Sequence, residues 1–169
     1  MIVTSADWAV SAERYDSADA TSLRRAYYRE VAGRYWRRPA TEAEVDAGLT
    51  GDGAELLAAP TGRFLVGRVG SVAAACGGVL LLDAERAELT RVFVRPELRG
   101  TGGARLLLTA LETAAVELGA RRLVLNTRLD LVEARALYVR SGYREIPVYC
   151  PGRPYAEICY GKELAPVPA

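Results

Sequence analysis

The stretch from Glu88 to Leu118 constrains the fold more than any other: an extended run, a glycine-rich turn and a long helical pattern in immediate succession. Glu88-Leu89-Thr90-Arg91-Val92-Phe93-Val94 has the β-branched and aromatic content of a strand. Arg95-Pro96 ends it, because proline has no N–H for a ladder and biases its predecessor away from helix. Arg99-Gly100-Thr101-Gly102-Gly103-Ala104-Arg105 then leads into apolar positions at Leu107, Leu111, Ala115 and Leu118. Glycines at such a junction let the chain turn sharply and bring main-chain N–H groups close to a ligand. The opening N–H groups of a helix have no internal partners and lie at the positive end of its dipole. This stretch is therefore expected to cradle phosphate oxygens.

The pattern narrows which phosphate-bearing ligand it is. A Walker loop needs a lysine after its glycines, and none follows here. A dinucleotide fingerprint starting at Gly100 and Gly102 would need its third glycine where Arg105 stands. What does match is Arg-x-x-Gly-x-Ala, at Arg99, Gly102 and Ala104. This resembles the acetyl-coenzyme A signature of the GNAT superfamily of N-acetyltransferases, usually Arg/Gln-x-x-Gly-x-Gly/Ala. Downstream, Ala136-Leu137-Tyr138-Val139-Arg140-Ser141-Gly142-Tyr143 resembles the same superfamily's Ala-Leu-Tyr-x-x-x-Gly-Phe/Tyr element. It follows a predicted strand ending near Asn126, where the superfamily often has an asparagine. The two elements support each other, since an arbitrary strand-turn-helix would not carry the second at the right place.

Length and charge set the outer bounds. The 169 residues are most simply one domain, 1–169, long enough to bury roughly 70% of the unfolded surface. A formal net charge of +1 gives no global field for nucleic acid or membrane. There is no cationic-then-apolar leader and no apolar run near the ~18 residues that span a bilayer, so a cytoplasmic location is expected. Cys76, Cys150 and Cys159 are odd in number, without Cys-x-x-Cys spacing, and read as free thiols. Histidine is absent, which removes the usual base and the commonest metal ligand. Acid–base chemistry must then use Glu, Asp, Tyr, Cys or Lys, and no metal is expected.

The remainder of the chain frames this centre. Ala9 to Glu13 suits a first strand, and Asp16 to Asp19 offers caps for a helix over Thr21 to Arg38. That helix carries six arginines against the single acid Glu30, either a solvated face or an anion-attracting patch. Thr41 and Glu44 have capping-box spacing for a second, short helix. Phe64 to Val69 and Val72 to Leu82, joined by Gly70-Ser71, read as a hairpin, with a bulge or close approach at Gly77-Gly78. Gly119 suits the end of the long helix. Arg122 to Thr127 is then a buried strand parallel to the one before it. Asp130 can cap the helix through Tyr138, and Tyr143 to Tyr149 and Ala156 to Lys162 read as closing strands.

The resemblance implies an α/β (α+β) fold of the GNAT kind: a mixed, mostly antiparallel sheet of six to seven strands flanked by about four helices, with a coenzyme-binding core over about 86–145. It implies transfer of an acetyl group from acetyl-CoA to a primary amine by direct attack. Carried over residue by residue, Arg99, Gly100, Thr101, Gly102, Gly103 and Ala104 would hold the pyrophosphate mainly through main-chain N–H groups, with Arg105 as a further partner. The edge at Val92, Phe93 and Val94 would pair with the pantetheine, and Asn126 would meet its thioester end. Glu88 is then the expected general base, with Asp83, Glu85, Asp130 and Glu157 as rivals, and Tyr138 the general acid for the thiolate. Tyr27, Tyr28, Tyr35, Trp36, Tyr149, Tyr155 and Glu157 are candidates for holding the acceptor. A small-molecule amine is the expected acceptor. A protein amine is the alternative within enzymes, and an acetyl-CoA sensor without turnover the alternative outside them. A homodimer is left open.

Overall fold

The computed structural model describes residues 2–166. Seven strands form one mixed sheet: β1 (Trp8–Ala12), β2 (Gly62–Val69), β3 (Val72–Leu81), β4 (Arg86–Val94), β5 (Arg122–Thr127), β6 (Arg144–Ile146) and β7 (Ile158–Glu163). Their order is β1-β2-β3-β4-β5-β7-β6. Four α-helices accompany them: α1 (Ala18–Trp36), α2 (Glu42–Leu49), α3 (Gly103–Glu117) and α4 (Val132–Arg140). Of the strand pairs, β4 with β5 is parallel and the others are antiparallel. That follows from the connections, since a glycine turn joins β2 to β3 whereas α3 lies between β4 and β5.

The two faces of the sheet are buried differently. Leu107, Leu108, Leu111 and Ala115 of α3 pack with Leu65, Val79, Ala87, Leu89, Leu123 and Leu125 into the larger core, which also takes Tyr138 of α4. On the other face, Ala20 and Leu23 of α1 pack with Leu57, Phe64, Val66, Cys76 and Phe93. Alternation along β4, shifted by one residue at an irregularity between Thr90 and Phe93, explains the split: Ala87, Leu89 and Val94 join the larger core, while Phe93 joins the α1 side.

The arginines of α1 resolve as neither of the two sequence expectations. Arg25 pairs with Glu42 and Asp46 and Arg29 with Glu42, while Arg24 pairs with Asp52, Arg34 with Glu133 and, just past the helix, Arg38 with Glu44, so the excess charge is spent on ion pairs with several elements. The capping box of Thr41 and Glu44 that starts α2 forms as its spacing predicts.

One expectation holds in one of its two forms, and two are corrected. Gly77-Gly78 is a close approach, since a Cβ at Gly77 would lie 2.6 Å from Leu111 and one at Gly78 2.6 Å from Leu57. The extra residue of the bulge is on β4 opposite: Cys76 pairs with Phe93 and Gly78 with Thr90, so β4 takes three steps for two. Arg91 sits in that bulge at φ 55°, a left-handed conformation uncommon outside glycine. Asp130 does not cap α4, because Arg128 holds both its carboxylate oxygens at 2.8 Å and the cap position is Leu131. The strand after Tyr143 stops at Ile146, where Pro147 has no N–H to donate, and residues 147–157 run as a loop to β7.

Candidate active site

β4 and β5 pair at Arg86 with Arg122, Ala87 with Leu123 and Glu88 with Val124, and there the pairing ends. Beyond it the strands diverge, and a cleft of about 1080 Å³ opens between them. Glu88 to Val94 of β4 form one wall and Asn126 and Thr127 of β5 the other. Tyr27, Glu30, Val31 and Arg34 of α1 close it on one side of the sheet, and Leu131, Ala134, Leu137 and Tyr138 of α4 on the other. The β4 bulge at Arg91 lies just past the fork, where it bends the strand away from its parallel neighbour. Past the fork, the β5-facing edge of β4 has no strand partner, which suits a ligand that hydrogen-bonds as a strand does.

At the end of β4 the glycine-rich turn meets the same cleft. Among the described residues, the main-chain N–H groups of Gly100 to Arg105 donate to no acceptor; the first helical bond runs from Leu106 N–H to Gly102 C=O. Six consecutive unpaired donors at a helix start make a strong anion cradle. Gly102 is required twice over, by φ 94° and by Ser5, whose Cβ would lie 2.8 Å from a Cβ added here. Gly103 is required by the Trp8 ring, which a Cβ would meet at 2.3 Å. Of the expected coenzyme residues, Val92, Phe93, Val94, Arg99, Gly100, Gly102, Ala104, Arg105 and Asn126 line the cleft, whereas Thr101 and Gly103 lie behind it. The Thr101 hydroxyl donates to Leu98 C=O at 2.7 Å and accepts from Trp8 Nε1 at 2.9 Å, bracing the turn against β1. Arg99 is likewise committed, donating to Val94 C=O and to both oxygens of Glu30. Arg105 and Arg140 line the cleft with no acidic partner among the described residues.

Glu88 is buried at the fork, 7% exposed. Its Oε2 accepts from Tyr149 Oη at 2.7 Å, from Arg153 Nη1 at 2.7 Å and from Asn126 Nδ2 at 3.4 Å. Asn126 also donates to Tyr149 Oη at 3.1 Å. Tyr149 and Arg153 both come from the loop between β6 and β7, which thus folds back over the carboxylate. Burial, reinforced by the adjacent Glu88, pushes the Tyr149 phenol well above its usual value, so it stays a donor.

Tyr138 is buried beneath α4, its ring 5.8 Å from that of Tyr143 and 6.3 Å from that of Tyr160. Its hydroxyl has no hydrogen bond among the described residues, and the residue lines the cleft. Burial pushes this phenol, too, well above its usual value.

Of the rivals to Glu88, Glu85 is exposed on the turn before β4 and does not line the cleft, and the other three are occupied elsewhere. Asp83 accepts from Glu85 and Arg86 N–H and pairs with Arg86, which holds its carboxyl down at about 2. Asp130 is taken by Arg128, and Glu157 caps Leu129 N–H at 3.1 Å. Of the acceptor candidates, Tyr27 lines the cleft and Tyr149 reaches Glu88. Tyr28 instead lies beneath Gly48 between α1 and α2, and Tyr35 and Tyr155 form an exposed edge-to-face pair. Sequence reasoning missed Arg153, Asp52 and Arg91, all of which line the cleft. Proline and glycine around Arg153 signalled a turn but not where it would fold.

Comparison with known proteins gives a consistent picture. Residues 21–143 match the model of the Acetyltransferase (GNAT) family. An "IAA acetyltransferase" of Azospirillum brasilense is 33% identical over 92 residues, covering 54% of this chain and 60% of that relative. An acetyltransferase structure from Streptococcus agalactiae superposes with a TM-score of 0.73 at 16% identity, covering 94% of this chain and 99% of that one. A GNAT family acetyltransferase from Elizabethkingia anophelis, solved with acetyl-CoA bound, superposes with a TM-score of 0.63 at 16% identity, covering 94% and 99%.

Proposed function

The chain belongs to the Acetyltransferase (GNAT) family, and from that premise we propose that it transfers the acetyl group of acetyl-CoA to the primary amine of a small molecule. The observation that carries this reading is the meeting of three elements in one cleft: the unpaired turn whose Gly100, Gly102, Ala104 and Arg105 line it, Glu88 and Tyr138. Bound acetyl-CoA supplies an activated thioester. The amides of the turn hold its pyrophosphate, with Arg105 and Arg140 as additional cationic partners, and the free edge of β4 from Val92 to Val94 aligns the pantetheine. Asn126 meets the thioester end.

The protein's own part is two proton transfers. A lysine-like amine of pKa ~10.4 is neutral in only about one molecule in 10³ to 10⁴ at neutral pH, so removing its proton is a principal task. Glu88 accepts that proton through water; the neutral amine nitrogen then bonds to the acetyl carbon, loses a further proton to water, and the carbon–sulfur bond breaks. Tyr138 gives its proton to the departing thiolate; burial keeps this phenol protonated, so the donor is present throughout the neutral range. Residues 1–169 act as one domain in this reading, with the coenzyme core at about 86–145. The named relative that acetylates and the structural relative that holds acetyl-CoA support it.

The test is thiol release from acetyl-CoA in the presence of chelator, against amino acids, simple amines, polyamines and aminoglycosides. Amine-dependent release with formation of the N-acetyl product is expected, unaffected by chelation. Binding of acetyl-CoA without turnover of any amine would overturn the reading in favour of a sensor.

A further inference from the structure

Resting on that reading, we infer that the acceptor carries an anionic group beside its amine, as an amino acid does, and that Arg153 takes this anion and thereby releases Glu88. The argument is one of charge at the fork. Arg24 Nη2 lies 3.2 and 3.1 Å from the two oxygens of Asp52, and Arg91 donates to the main-chain oxygen of Asp52 with its carboxylate 3.6 Å away. Arg153 is paired with Glu88. Three guanidinium groups therefore stand against two carboxylates, a net charge of +1 around Glu88, Thr90 and Arg91. The other acids of the cleft are spent: Glu30 on Arg99 and Glu133 on Arg34.

A polycationic acceptor would meet this wall with no spare carboxylate, and would have to displace Arg153 from Glu88 with nothing to receive it. An amino carboxylate makes the exchange neutral. Its carboxylate receives the Arg153 guanidinium in a charge-assisted contact, and Glu88, still held by Tyr149 and Asn126, loses its counter-charge and can meet the amine. Arg153 is suited to move: its side chain is 43% exposed and extends from the Pro151-Gly152-Arg153-Pro154 turn, whereas that of Arg24 is 9% exposed. Tyr27, Leu56 and Leu80 line the same cleft and offer apolar surface to a side chain.

The experiment compares L-phenylalanine, L-phenylalaninamide and phenethylamine by kcat/KM. The carboxylate form should be preferred about 10- to 10²-fold, the span of a charged hydrogen bond. In Arg153→Gln that preference should collapse toward one, and Arg153→Lys should recover part of it. Titration of the CoA-loaded protein with N-acetyl-phenylalanine and N-acetyl-phenethylamine should rank the carboxylate tighter by a similar factor. Equal or better turnover of the amide or the amine, or a preference that survives Arg153→Gln, overturns the inference and leaves the acetyltransferase reading standing. If no amine of any class is turned over, it is that reading that falls, and the inference with it.

Discussion

Glu88 and Val124 are the last residues at which β4 and β5 run side by side. The carboxylate that closes the paired part of the sheet is therefore also the first group inside the cleft. Its position is set by the ladder, by the bulge that bends β4 beyond it, and by a loop from the far edge of the sheet that donates to it.

Replacing Glu88 with Gln keeps its size and removes the base. Turnover at neutral pH should fall ~10²- to 10⁴-fold, with acetyl-CoA affinity close to wild type. Below the amine's own pKa, the neutral fraction rises tenfold per pH unit. The variant's deficit should therefore shrink as pH increases from 7 to 9. Rate–pH profiles of both proteins check this, and wild-type turnover in the variant at pH 7 would place the base elsewhere.

Tyr138→Phe removes a hydroxyl with no hydrogen bond among the described residues, so thermal stability should hardly change. Turnover should fall by a similar ~10²- to 10⁴-fold at unchanged coenzyme affinity. Burial raises this phenol's pKa, which favours the protonated donor, so its contribution persists as pH rises to ~10. Wild-type turnover in the variant at neutral pH would contradict the assignment.

Ala104→Glu probes the phosphate cradle. The residue lines the cleft in the first turn of α3, where a carboxylate favours the helix but opposes a pyrophosphate. Calorimetric titration should show acetyl-CoA affinity lowered at least ~10²-fold in a protein that melts normally. Gly102 and Gly103 are poorer probes, because any side chain there collides with Ser5 or Trp8. Wild-type affinity in Ala104→Glu would move the phosphate site.

Asp52→Ala tests the buried charge network. It would strand Arg24, which is 8% exposed and whose Nε already has no hydrogen-bond partner. Removing one member of a buried pair costs ~3 to 5 kcal/mol. Urea unfolding should show a loss of that order, and a loss below ~1 kcal/mol would mean that Arg24 finds water or another partner.

The sequence by itself determined what rests on neighbours in the chain. The β4-turn-α3 unit, the capping box at Thr41 and Glu44, the β2–β3 hairpin and the limits of β5 all depend on residues within a few positions of one another, and periodicity and turn chemistry report them. Glu88, Asn126 and Tyr138 were legible through motifs, and they do line one cleft. Tertiary structure decided the rest. Nothing local to Arg25 or Arg29 names α2 as their partner, and Thr101 and Gly103 acquire their bracing role from Trp8, more than 90 residues away (93 for Thr101). The bulge at Arg91 lies opposite two glycines of β3 against which Leu57 and Leu111, from distant segments, pack. Tyr149 and Arg153 reach Glu88 across 61 and 65 positions of sequence. Such contacts arise when distant segments are buried together, and burial is a property of the assembled sheet and helices that no window of sequence contains.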